Sequence, residues 1–206
     1  MKPLLTANKI TEYLDECISI FDMVDGVKTI GDFVKRVEML SHKFALDINN
    51  PTVSEQDKIN SFKGDMLEIL AEIFWRIYAA EEAVGIVDYM PIPLTEDFGV
   101  DGVGTNPNGD KCVAQVKYRA NPLDTIHWDD LAKTDSMGLR HYDVLKEKDY
   151  TVFLFTTCAG ATSACQEVLG NVLREINRNI IAGKIDLNQT FWKQAEELIL
   201  FTLDNL

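Results

Sequence analysis

Asp101 in GVDGVG, with Gln115 and Lys117 in QVK, stand at spacings that suit metal-assisted hydrolysis. The turn NPNGD separates the two segments, and Asn108-Gly109 between two strand-like runs predicts a β-hairpin. Across such a hairpin Asp101 can lie beside Gln115 and Lys117, which a period of two places on one strand face. A carboxylate oxygen and an amide oxygen are hard donors, suited to Mg²⁺ or Mn²⁺. An ion there would lower the pKa of a bound water and offset charge developing on a phosphoryl group. The Lys117 ammonium would orient the attacking water and stabilise the transition state.

The surrounding pattern predicts the elements that must position these residues. From Ser61 the run SFKGDMLEILAEIFWRIYAAEEA reads as a long helix, apolar around most of its circumference. Asp65, Glu68, Glu72 and Arg76 share its one polar stripe, which must meet solvent or a wet cleft. A carboxylate from this stripe would complete the metal's surroundings. On the helix alone, Glu72 is equally spaced to pair with Arg76 at i,i+4. Upstream, NKITEYLDECISIFDMV and TIGDFVKRVEMLSHKFAL predict helices over 8–48, parted at Asp25-Gly26, with Thr29 or Asp32 as the second cap. The polar stretch DINNPTVSEQD, with Asn50-Pro51, is the expected boundary between an N-terminal helical appendage, 1–57, and a core, 58–206. In the core, the Pro-broken IVDYMPIPL reads as an edge strand and KCVAQVKYR as the second strand of the hairpin. Residues 120–148 read as loop with one short helix, around DDLAKTDSMGLRHYDVL. YTVFLFTT reads as a strand buried on both faces, and helices over 162–182 and 189–203 close the chain. The expected class is α/β, a central mixed sheet flanked by helices.

In order, the chain carries KGDMLE, GVDGVG, QVK, then a buried strand ending FTT and the helix-forming GATSACQEVL. This series resembles the PD-(D/E)XK nuclease superfamily, and most nearly its Mrr-like branch, in which Gln replaces the acidic residue of E-x-K. TIGDFVKRVE is also similar to the amino-terminal nuclease domain of restriction-type helicase fusions, and the likeness spans roughly residues 28–175. The resemblance implies a restriction-endonuclease-like core and a Mg²⁺- or Mn²⁺-dependent DNA endonuclease. Within it Asp101 is the principal metal ligand, with Gln115, the backbone carbonyl of Val116 and the helical acid Glu68 as further ligands. Lys117 becomes the catalytic lysine, and Lys63, Arg119, Thr157 and Ser163 are expected to contact DNA. A helicase or translocase, as partner or fused domain, is a further implication, and the apolar helices at 8–48 and 189–203 leave room for a homodimer. Two departures stand out: Gln115 is uncharged, so metal should bind more weakly, and Val100 occupies the family's Pro position. The alternatives are a DNA-end or junction binding module that no longer cuts, and an acidic protein-interaction subunit.

Bulk charge points away from nucleic acid: 20 Lys and Arg against 33 Asp and Glu give −13. That excess is uneven, since residues 1–110 are net −11 whereas 111–148 are net +1. Lys111, Lys117, Arg119, Lys133, Arg140, Lys146 and Lys148 can therefore supply a local basic face. Cys17, Cys112, Cys158 and Cys165 form no C-x-x-C pair, and His42, His127 and His141 are scattered, which leaves zinc little support. Unpaired thiols, a polar N-terminus and the lack of a long apolar run set the expectation of a cytoplasmic protein with no membrane span. Asp97 is the competing carboxylate to Asp101. GVGTNPNG lacks the Gly-Lys-Ser/Thr ending of a phosphate loop, DGVGTNPNGD lacks calcium-loop spacing, and Cys158 follows a buried strand rather than a nucleophile turn.

Overall fold

The structure, a computed structural model, describes residues 1–9, 21–47, 52–93, 99–141, 150–188 and 190–206. Cys17, Asn50-Pro51, Asp97, Lys146 and Lys148 lie outside these residues. The chain forms two units, one of residues 1–73 with 181–206 and one of residues 74–180. The boundary expected after residue 57 falls within the first unit.

The first unit is helical. Helices α1 (Phe21–Val24) and α2 (Ile30–Asp47) are followed by α3 (Glu55–Tyr78), whose residues up to Ile73 belong here. Thr29 caps α2: its hydroxyl accepts from the Asp32 amide at 3.0 Å, while Asp32 Oδ2 accepts from the Lys28 amide at 3.4 Å. Ser54 caps α3: its Oγ accepts from the Asp57 N–H at 3.1 Å and its hydroxyl donates to Asp57 Oδ2 at 2.6 Å. That cap places the helix start at Glu55, six residues before the expected Ser61. Phe44 and Phe62 join α2 to α3, with ring centroids 5.2 Å apart. Helix α7 (Phe191–Leu203) seats Trp192 against Phe33, at 6.1 Å.

The second unit holds a five-stranded mixed sheet. Strands β1 (Val87–Pro91), β2 (Gly102–Thr105), β3 (Lys111–Lys117), β4 (Tyr150–Thr156) and β5 (Leu173–Ile176) lie in the order β1-β2-β3-β4-β5. The first three pair antiparallel and the last three parallel. Helix α4 (Trp128–His141) connects β3 to β4, and α5 (Ser163–Leu169) lies between β4 and β5. On one sheet face Val113, Val152 and Leu154 pack with Leu131 of α4 and Cys165 and Leu169 of α5. On the other, Phe74 and Trp75 from the end of α3 meet Phe155 at 5.3 and 5.5 Å, and Trp75 meets Tyr89 at 4.5 Å. The sheet is thus covered by helices on both faces, and β4 is a continuous apolar strand for that reason.

The expected hairpin is present, with Thr105 opposite Lys111. Asn106 organises its turn: Oδ1 accepts from the amides of Asn108 and Asp110 at 3.0 and 2.9 Å. Gly109 completes it at φ +92°. One expectation is overturned. The single helix over 162–182 is instead α5, a 3₁₀ turn at Gly170–Val172, β5, and helix α6 (Arg178–Ile185). Gly170, at φ +50°, breaks the helix, and Asn177 Oδ1 starts α6 by accepting from the amides of Asn179 and Ile180, both at 3.2 Å. Among the described residues no helix is long and apolar enough to cross a membrane.

Candidate functional site

Asp101 immediately precedes β2, beside the C-terminal half of β3, because the hairpin register sets Gly102 opposite Ala114. Its backbone extends the ladder on both sides: its N–H donates to Ala114 O at 2.9 Å, and its carbonyl accepts from Ile92 N–H at 3.0 Å. This fixes the direction of the half-buried side chain. Oδ2 accepts a hydrogen bond from the Val116 amide at 2.6 Å and a second from Nε2 of Gln115. Gln115 is buried, 3% exposed, with its side chain between Asp101 and α4. On the α4 side its Oε1 accepts from the hydroxyl of Thr134, which is itself fully buried. The same hydroxyl lies 2.7 Å from the carbonyl oxygen of Gly99. Lys117 is two residues further along β3, half-buried at its end, on the same strand face as Gln115.

The loops after the parallel strands β3 and β4 are tied together next to this point. Arg119 N–H donates to Thr157 Oγ1 at 2.8 Å, and the Thr157 hydroxyl donates back to Arg119 O at 2.7 Å. Ile126 N–H donates to Gly160 O at 2.8 Å, and Thr162 N–H to Ile126 O at 2.9 Å. The ends of such strands are where α/β sheets place ligands. Thr157 is fully buried and its hydroxyl is committed to this tie, so it holds the loop and presents no hydroxyl to a phosphate. The Arg119 guanidinium is likewise engaged, donating to both carboxylate oxygens of Asp130 at 3.2 and 3.1 Å. Ser163 is exposed at the start of α5.

Glu68 and Lys63 belong to the first unit. Lys63 bridges α3 to α2, with Nζ 2.7 Å from Glu38 Oε2. Glu68 Oε2 lies 2.6 Å from Lys9 Nζ, and Asp65 Oδ1 lies 2.7 Å from the same nitrogen. Burial alone would lower the Lys9 pKa, but attraction to Glu68 and Asp65 and their hydrogen bonds outweigh it, and the net shift is upward. Glu72, fully buried, accepts from the amides of Leu5 and Thr6 at 2.8 and 2.9 Å and from the Thr6 hydroxyl at 2.8 Å. The acidic stripe of α3 therefore meets the N-terminal segment, where solvent or a wet cleft was expected. No pattern in residues 1–9 announces that docking, because it depends on a buried partner more than fifty positions away.

Among the described residues no three His, Cys, Asp or Glu side chains gather as a cation site. The groups that meet at Asp101 are its own carboxylate, Nε2 of Gln115 and the Val116 N–H, with the Gln115 amide oxygen turned toward Thr134. The carboxylate and the amide oxygen are the hard donors of the kind Mg²⁺ and Mn²⁺ select, with a single negative charge between them. Thr134 is the participant that the sequence leaves unmarked. A threonine inside a helix carries no signal until the register of β3 brings Gln115 against it. No family model, curated protein or solved structure matches the chain.

Proposed function

We propose that the second unit is a metal-dependent deoxyribonuclease with a restriction-endonuclease-like core, of the PD-(D/E)XK type and nearest its Mrr-like branch. One observation carries this reading: the Asp101 carboxylate meets Gln115 and the Val116 amide, with Lys117 next on the same strand face. Bound Mg²⁺ or Mn²⁺ would supply charge neutralisation at a phosphodiester and a more acidic water. Asp101, the amide oxygen of Gln115 and the Val116 carbonyl would hold it, and Lys117 would orient the attacking water and stabilise the developing oxyanion. Glu68, the helical acid that the resemblance implies, is paired with Lys9 within the first unit and takes no part in this proposal. Ser163 and Arg119 remain the proposed phosphate contacts, and DNA the substrate.

The test is cleavage of plasmid and branched DNA with Mg²⁺ or Mn²⁺ by the wild type, Asp101→Ala and Lys117→Ala. The expected result is a loss of at least about 100-fold in both variants, the order of a single electrostatic or acid–base contribution. Equal residual cutting by all three proteins would overturn the reading. A second reading, a DNA-end or junction binding module that does not cut, is favoured by the Gln115 nitrogen on Asp101, which satisfies the carboxylate without a cation. Salt-dependent DNA affinity without metal-dependent cleavage would select it.

A further inference from the structure

The Thr134 hydroxyl faces two acceptors, Gly99 O at 2.7 Å and Gln115 Oε1. A hydroxyl carries one hydrogen, so it can serve only one of them as donor. If the hydrogen goes to Gly99, Thr134 and Gln115 oppose oxygen to oxygen. If it goes to Gln115, Thr134 and Gly99 do. Both arrangements leave a repulsive contact around a residue with no exposure to water.

Turning the Gln115 amide by 180° removes the conflict at Thr134 and transfers it to Asp101. Amide oxygen and nitrogen have nearly the same shape, so the turned form occupies the same space. Nε2 then donates to Thr134 Oγ1, which donates onward to Gly99 O. The same turn moves the amide oxygen to where Nε2 meets Asp101 Oδ2. Two oxygens, one anionic, then face each other in a half-buried position, and a cation is what reconciles them. The Val116 amide stays on Asp101 Oδ2 in both forms.

We propose that Thr134 is a positioning residue that sets the Gln115 amide in one of two states. In the closed state the amide nitrogen is on Asp101, and in the open state the amide oxygen joins Asp101 as a donor to a divalent cation. The Thr134 hydroxyl is the pivot, donating to Gln115 in the first state and accepting from it in the second. This inference rests on the reading of Asp101 as a cation ligand.

The experiment measures Mn²⁺ binding by calorimetry for the full chain, Asp101→Ala, Thr134→Val and Thr134→Ser, alongside the ¹⁵N spectrum of the Gln115 side-chain amide with and without Mg²⁺. Thr134→Val, which keeps the shape and removes the hydroxyl, is expected to weaken Mn²⁺ about 10- to 100-fold, the usual effect of losing a ligand's orienting partner. Thr134→Ser restores the hydroxyl and is expected to bind within a few-fold of wild type. In the wild type, Mg²⁺ is expected to move the Gln115 amide resonances as their acceptor changes from carboxylate to hydroxyl, a readout that needs no variant to fold. A folded Thr134→Val that binds Mn²⁺ as the wild type does overturns the pivot alone, as do unmoved Gln115 resonances in a protein that binds the ion. A wild type that binds no Mn²⁺, or an Asp101→Ala that binds it equally, overturns the pivot together with the nuclease reading.

Discussion

At Asp101 a single carboxylate oxygen is held by one backbone amide and one side-chain amide, and the neighbouring residues act through that hold. The spacing D-x(13)-Q-x-K with Asn-Gly between is enough to read Asp101, Gln115 and Lys117 as neighbours, because the hairpin makes sequence distance a register. Thr134 was illegible for the converse reason: it reaches Gln115 from a helix, and no local periodicity encodes that meeting. A residue-scale prediction concerns Cys112, whose thiol burial pushes up to about 12, partly offset by a hydrogen bond from the Gly104 backbone. The unfolded thiol ionises near its ordinary value of 9.0 and the folded one near 12. Ionisation therefore favours the unfolded chain as pH rises across that window, and the Cys112 contribution to stability falls from about pH 9 upward. At pH 8, iodoacetamide with mass mapping is expected to leave the buried Cys112, Cys158 and Cys165 unlabelled in the native protein and to label all three in urea.

Among the elements, those with local signals were legible and those defined by pairing were not. Helix α2 announces its cap at Thr29, and β4 its burial by an unbroken apolar run. The start of α3 differs from the expected one because Ser54 and Asp57 lie in a polar stretch that reads as loop until the Ser54 cap is recognised. Strand β5, four residues long, alternates too briefly to differ from helix, and only its parallel register with β4 makes it a strand. Strand β2 gives the element-scale prediction. Gly102 and Gly104 both face β1, where an added methyl would land on the Tyr89 ring and on the Ile86 side chain respectively. Their role is close packing beneath the aromatic layer, and a phosphate loop is not required to explain them. Gly102→Ala is expected to lower stability by about 1–3 kcal/mol, the usual range for overpacking a tight site, read by urea denaturation.

At the scale of the molecule, each unit is acidic. Residues 74–180 hold 10 basic and 16 acidic side chains, and the other unit 10 and 17, so −13 divides as −6 and −7. Within the near-neutral stretch 111–148, the Arg119 charge is partly offset by its pairing with Asp130. The first unit gathers the two ends of the chain: Leu4 N–H donates to Thr202 Oγ1 at 2.9 Å, beside the Glu72 and Lys9 contacts. Glu72→Ala leaves the Leu5 and Thr6 amides without that acceptor. It is expected to cost about 2–4 kcal/mol, as for a buried carboxylate that accepts several hydrogen bonds, again read by urea denaturation. Lys9→Met separates charge from anchoring. The raised folded pKa of Lys9 means that its contribution is complete below about the ordinary value of 10.5 and is lost as pH rises through the higher folded value. The wild type is therefore expected to lose its advantage over Lys9→Met only in strong alkali, which thermal melts from pH 8 to 11.5 would follow.

The outer strand β1 has a consequence for how copies of this chain can meet. Its register with β2 slips between Val87 and Met90, where Asp88 adopts φ +53°, and Pro91 ends it without an amide hydrogen. A second sheet pairing there would have to straighten Asp88 and would find a missing donor at Pro91. This rim is built against strand addition, so copies of the chain are not expected to meet by a sheet continued through β1.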